Sequence, residues 1–128
     1  MAKAPPPTSA IADALEFVEG LAPACTKVGP DRWLWGYIDK SGTWVIDPQF
    51  ESAGLFGSGL APVQTATSDL SGKWGYIDRS GKYVIEPRYW RGDSFSGGLA
   101  YVWLSIGEGG EEGYAYIDLT GNPVWVGP

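Results

Sequence analysis

Phe56-Gly57-Ser58-Gly59-Leu60-Ala61 and, thirteen residues beyond it, Trp74-Gly75-Tyr76-Ile77-Asp78-Arg79-Ser80-Gly81 decide how this chain is read, because both words occur three times. The first recurs as Phe17-Val18-Glu19-Gly20-Leu21-Ala22 and as Phe95-Ser96-Gly97-Gly98-Leu99-Ala100, in steps of 39 residues. The second recurs as Trp35-Gly36-Tyr37-Ile38-Asp39 and Tyr114-Ala115-Tyr116-Ile117-Asp118, in steps of 39 and 40, so the third copy carries one inserted residue. A fixed period of this length means that one small supersecondary unit is repeated, each copy burying its apolar face against a neighbour.

Within one period the signals are those of short strands and tight turns. Asp78-Arg79-Ser80-Gly81, Asp39-Lys40-Ser41-Gly42 and Asp118-Leu119-Thr120-Gly121 place Asp first and Gly last, the preference of a type I or bulged hairpin turn. Alternation puts Trp74 and Tyr76 on one strand face and Ile77 on the other, and it puts Tyr83 and Ile85 together opposite Val84. The expected fold is all-β: three antiparallel three-stranded meanders with strands near 35–39, 44–47, 60–64, 74–78, 83–86, 99–104, 114–118 and 124–126. Ile11 to Leu15 align with the tail of a repeat whose beginning is absent, which suits a closed pseudo-threefold ring slightly better than a short open stack. The domain expectation is a disordered segment 1–8 and one β domain over 9–128, with repeats 17–55, 56–94 and 95–128 and residues 9–16 completing the last. Residues 13–18 are expected to form one or two helical turns. The positions that keep their character nominate a core of Phe17, Phe56, Phe95, Leu21, Leu60, Leu99, Ile38, Ile77 and Ile117. Trp35, Trp74 and Tyr114, and Ile46, Ile85 and Trp125, keep theirs as well.

The words Trp-Gly-Tyr-Ile-Asp, Ser-Gly, Val-Ile and Pro-x-aromatic, in the order of Gly72 to Tyr89, resemble the WG repeat family (WG β-repeats, also called KWG repeats) over about residues 11–126. The third copy departs from the pattern: Tyr114-Ala115 replaces Trp-Gly, and Pro123 stands where Trp44 and Tyr83 supply an aromatic. The resemblance implies β-rich repeats of bacterial proteins and contributes no catalytic residues.

Composition narrows the function classes. The 128 residues are 44% hydrophobic, enough for one domain with a core, and 19 glycines with 10 prolines suit strands and turns. A net charge of −6 argues against nucleic acid and anionic membranes as partners, since phosphate binding needs clustered Lys and Arg. No apolar run approaches a membrane span, and prolines at 5–7 interrupt any signal-peptide core, so a cytoplasmic location is expected. With no histidine, Ser-His-Asp and Cys-His catalysis and His-containing zinc sites are excluded; no metal and no cofactor is expected. Asp39, Asp78 and Asp118 are read as turn residues, Cys25 as an incidental thiol, and Ser105 to Gly113 as an acidic hairpin loop. Arg91-Gly92-Asp93 spells the integrin tripeptide by chance, in a loop between repeats. A carboxylate-dependent hydrolase would draw on Glu51, Glu86 or Glu112, but nothing in their spacing selects a pair.

The positions where copies disagree point to a surface. Trp33 stands where repeat 2 has Gly72, Trp90 where repeat 1 has Glu51, and Trp103 where repeat 2 has Gln64. A position that accepts Gly, Glu or Gln is expected to be exposed. Tryptophan and arginine are enriched at binding hot spots, so Trp33, Trp90 and Trp103 with Arg32, Arg88 and Arg91 form the candidate binding surface. The function expected is a non-catalytic protein-interaction module, in a concrete form an acidic inhibitor or immunity-type partner of another, basic bacterial protein. The alternative is a glycan-binding module that stacks sugars on exposed tryptophans.

Overall fold

A computed structural model describes residues 11–67, 72–106 and 111–127. Residues 1–8, expected to be disordered, residues 68–71, and residues 107–110 of the expected acidic loop lie outside the described residues.

Eleven strands follow one another and no helix occurs among the described residues: β1 (Asp13–Ala14), β2 (Ala22–Gly29), β3 (Arg32–Ile38), β4 (Trp44–Ala53), β5 (Ala61–Thr65), β6 (Trp74–Ile77), β7 (Tyr83–Tyr89), β8 (Arg91–Gly92), β9 (Ala100–Ile106), β10 (Glu111–Ile117) and β11 (Pro123–Gly127). Strands β1 to β7 form one antiparallel sheet in chain order, and β8 to β11 form a second. Residues 13–14 are therefore strand rather than helix, and Arg91–Gly92 is strand rather than loop. Neither sheet closes, so the ring expectation is corrected. The reason is local: Asp13 pairs with Cys25 in the register that Ser52 keeps with Gln64 and Arg91 with Trp103, each 39 residues on. The N-terminal segment thus finds the partner of a repeat tail on its own next strand, and nothing draws it to β11.

The turns are built as their residues dictate. In the Phe-x-x-Gly-Leu words both central residues have positive φ: Glu19 and Gly20 at 57° and 83°, Ser58 and Gly59 at 53° and 83°, Gly97 and Gly98 at 62° and 83°. That is the type I′ hairpin, whose twist matches the flanking strands. In the Asp turns one carboxylate oxygen holds the loop. Asp78 Oδ1 accepts the Ser80 N–H (2.9 Å), the Ser80 hydroxyl (2.7 Å) and the Lys82 N–H (3.1 Å). Asp39 and Asp118 do the same with Ser41 and Thr43, and with Thr120 and Asn122.

After each Asp turn a β-bulge appears, with Val45, Val84 and Val124 as the exposed extra residue. It sends Tyr83 to the core shared with repeat 1 and Ile85 to the core shared with repeat 3, so these two do not share a face as simple alternation predicts. One core lies between repeats 1 and 2 and gathers Leu21, Tyr37, Ile46 and Phe50 with Phe56, Val63 and Ile77. The other lies between repeats 2 and 3, with Leu60, Tyr76, Ile85 and Tyr89 against Phe95, Val102 and Ile117.

The two junctions are copies of each other. Tyr37 meets Phe56 edge-on at 4.9 Å and 66°, and Tyr76 meets Phe95 at 4.9 Å and 66°. The buried hydroxyls of Tyr37 and Tyr76 donate to the Gly54 and Asp93 carbonyls, each at 2.7 Å, and burial raises both phenol pKa values far above the usual range. Tyr37→Phe or Tyr76→Phe, which removes the hydroxyl donated to a partly buried carbonyl, should each cost about 1 kcal/mol in urea denaturation. Tyr116→Phe, at the exposed equivalent, should leave stability unchanged.

The core expectation fails at the two ends for one reason. Phe56 and Phe95 are 1% and 3% exposed but Phe17 is 41%; Leu21 and Leu60 are 3% and 6% but Leu99 is 40%. Phe17 enters neither inter-repeat core, and among the described residues no repeat packs over Leu99. Tyr114 and Trp125 are exposed for the same reason, whereas Ile38, Ile77, Ile117, Ile46 and Ile85 are buried.

Candidate functional site

Strands β9, β10 and β11 bury Ala100, Val102, Ala115 and Ile117 on one face, and alternation then forces Tyr101, Trp103, Tyr114, Tyr116 and Trp125 onto the other. Register aligns them in two cross-strand rows: Trp103 opposite Tyr114, and Tyr101 opposite Tyr116, which is opposite Trp125. The Tyr101 and Tyr114 rings stack at 5.2 Å and 1°, Trp103 stacks on Tyr114 at 6.3 Å, and Tyr116 meets Trp125 at 6.1 Å. Trp103 is half-buried and the other four are exposed. Crowding among these rings, and after it the neighbouring Tyr114, Tyr116 and Asp93, pushes the Tyr101 phenol pKa upward. At the rim, Arg91 and Asp93 lie 4.0 Å apart and complete a concavity of about 300 Å³ with Tyr101, Val102, Trp103 and Tyr114.

The structure brings together part of the set nominated from sequence. Trp103 and Arg91 share the concavity, and the Trp90 N–H donates to the Trp103 carbonyl at 2.7 Å. The exposed Trp90 ring carries the Lys73 ammonium at 4.4 Å, and its indole N–H donates to the Ser105 hydroxyl at 3.2 Å. Arg91 also lies 5.7 Å from the Trp74 ring, and exposed Arg88 lies 5.9 Å from that of Tyr89. Trp33 and Arg32 stand apart on the first hairpin: Trp33 is exposed beside Lys27 at 5.5 Å, and Arg32 contacts Glu51 at 3.4 Å. Sequence reasoning missed Tyr101, Tyr114, Tyr116 and Trp125 as surface residues. Retained character marked Tyr114 and Trp125 as core; asking which repeat follows theirs would have found all four.

Of the acidic candidates, only Glu51 has a charged partner among the described residues. Glu51 is the partner of Arg32, and Glu86 and Glu112 are exposed on β7 and β10. No group of three or more potential metal ligands occurs among the described residues. Cys25 is buried, which, with Asp13 nearby, raises its thiol pKa. The Arg91-Gly92-Asp93 word is structural at its centre, since a Cβ on Gly92 would come within 2.6 Å of the Tyr76 hydroxyl.

Asp39, Asp78 and Asp118 have lowered pKa values, chiefly through the Ser41, Ser80 and Thr120 hydroxyls and then through backbone N–H donors. A lowered folded pKa means the folded chain binds fewer protons than the unfolded one, so the stabilisation is present above the unfolded value of 3.8 and is lost as pH falls through the folded value. Asp78→Asn should therefore be less stable at neutral pH and should show a shallower loss of stability below about pH 4. Urea midpoints across an acid pH series check this.

No curated protein and no solved structure matches the chain. The model of the WG containing repeat matches residues 35–65 and 74–102. Each matched stretch begins at the Trp of one repeat and ends in the first strand of the next, so what recurs is the junction itself: strand, Asp turn, bulged strand and the aromatic that enters the neighbouring core. On that match, and on the three copies of its words in the sequence, the chain belongs to the WG repeat family.

Proposed function

We propose that the chain is a non-catalytic protein-interaction module, an open stack of three repeats whose docking surface is the aromatic face of β9–β11. The observation that carries the reading is five large aromatics side by side on one sheet face, with Arg91 and Asp93 at the rim. A contiguous apolar patch held on a rigid sheet is the kind of surface that recognises partners, and Trp, Tyr and Arg supply most hot-spot energy. A net charge of −6 is compatible with a basic partner without demanding one, and it leaves room for an inhibitor or immunity-type role.

Trp103→Gln copies the residue that repeat 2 carries at this position, and Trp90→Glu copies repeat 1, so both variants should melt close to the wild type. Trp103→Gln should weaken partner binding by about 2 kcal/mol or more. The test is capture from the native source on immobilised wild type and on Trp103→Gln, compared by mass spectrometry. A protein held by the wild type, lost with the variant and released by salt supports the reading; capture identical on both overturns it. The near-parallel Tyr101, Tyr114 and Trp103 rings favour glycan binding as the second reading, since sugars stack on such faces. In that case cellohexaose should quench tryptophan fluorescence in a salt-independent way, and Trp103→Gln should abolish the effect.

A further inference from the structure

Accessible rings elsewhere on the molecule carry the chain's own cations. Lys27 lies 5.5 Å from the Trp33 ring, Lys73 lies 4.4 Å from Trp90, and Arg91 lies 5.7 Å from the half-buried Trp74. Among the described residues no cation lies over Tyr101, Trp103, Tyr114, Tyr116 or Trp125. The electron-rich faces of this array are therefore open to a cation from outside the chain.

The ring geometry shows which face is free. Tyr101, Tyr114 and Trp103 form one stack, with interplanar angles of 1° and 18°. Tyr116, tilted by 50° at 5.0 Å, closes the Tyr101 end. The other end is the outer face of Trp103, and alternation along β9 carries the exposed side of the sheet on from Trp103 to Ser105. Register sets Glu112 opposite Ser105. Glu112 also shares the outer face of β10 with Tyr114 and Tyr116, because Gly113, Ala115 and Ile117 take the buried face. Its carboxylate has no charged partner among the described residues. Arg91 does not fill this place: it lies near the Trp74 ring and 4.0 Å from Asp93.

We propose that this face receives an arginine of a protein partner, whose guanidinium stacks on the outer face of Trp103 and donates to the Glu112 carboxylate. The proposal rests on reading β9–β11 as a protein-docking surface and names what the partner presents to it. A guanidinium suits the pair better than an ammonium. It is planar and weakly hydrated, so it lies flat on a ring, and its N–H fork matches a carboxylate. The chain already uses the combination once, where Arg91 is held between the Trp74 ring and Asp93. The net charge of −6 adds long-range attraction for such a partner.

Calorimetric titration of the protein with capped hexa-arginine, hexa-lysine and hexaglutamate peptides at low salt tests it. Hexa-arginine should bind about threefold or more tighter than hexa-lysine, and hexaglutamate should not bind. Trp103→Gln and Glu112→Gln should each weaken hexa-arginine by about threefold or more. Trp103→Tyr keeps a ring and should retain most of the binding, which separates loss of stacking from loss of fold. Glu86→Gln removes the same charge from exposed β7 and should leave binding unchanged. Equal weakening by Glu86→Gln and Glu112→Gln overturns the proposal, because net charge alone would then account for the attraction. So does hexa-lysine bound as tightly as hexa-arginine, or no binding of either. A protein captured by the wild type, lost with Trp103→Gln and kept by Glu112→Gln overturns the arginine contact and leaves the docking surface standing. Capture that is identical on the wild type and Trp103→Gln overturns the docking surface itself, and the proposal with it.

Discussion

Phe56→Ala and Phe95→Ala should each cost about 3–5 kcal/mol, whereas Phe17→Ala should cost less than about 1. The three residues occupy the same repeat position, so propensity and local sequence do not separate them. What separates them is the neighbour: Phe56 enters the core beneath Tyr37, Phe95 enters the core beneath Tyr76, and Phe17 enters none. Against a total stability of about 5–15 kcal/mol for a domain, the first two changes leave a large unfolded fraction at room temperature. Urea denaturation of the three variants measures this, and equal losses at all three would refute the division into covered and uncovered repeats.

Gly75→Ala and Gly36→Ala should each destabilise by about 3 kcal/mol, the upper end for overpacking, because the added methyl meets backbone that does not yield easily. A Cβ on Gly75 would lie 2.6 Å from the Ile85 carbonyl oxygen and 2.7 Å from the Pro87 nitrogen; on Gly36 it would lie 2.3 Å from the Ile46 oxygen. The crowding comes from a second bulge. Between the pairs Tyr37–Ile46 and Trp35–Phe50, the partner strand carries three residues, Asp47, Pro48 and Gln49, opposite the single Gly36. Repeat 3 lacks this bulge, since Tyr114, Ala115 and Tyr116 pair one-to-one with Gly127, Val126 and Trp125, and a buried alanine fits there. Ala115→Gly should therefore cost only about 1 kcal/mol, as expected for a strand glycine that has lost its methyl. Thermal melts of these variants would show whether the glycine of the Trp-Gly word answers to the bulge.

The repeat words determine a good deal by themselves. The 39-residue period, the Asp-x-Ser/Thr-Gly turns and the Phe-x-x-Gly-Leu hairpins fix an all-β meander, its turns and most strand positions, because each is a local preference written three times. The first strand of repeat 1, β2, is legible only by analogy with residues 60–64 and is absent from the expected strands; β1 and β8 are two-residue pairings too short to leave a pattern. Three outcomes belong to tertiary structure. The bulges at Val45, Val84 and Val124 move Tyr83 and Ile85 to opposite cores, and a period-two reading cannot see an extra residue. The N-terminal segment satisfies its hydrogen bonds on β2, so the sheets stay open although the repeat count allows a ring. Most important for function, identical residues become core or surface according to whether another repeat lies against them. Tyr76 and Tyr116 share one sequence context, and burial is a property of what packs against a residue, which only the arrangement of the repeats in space decides.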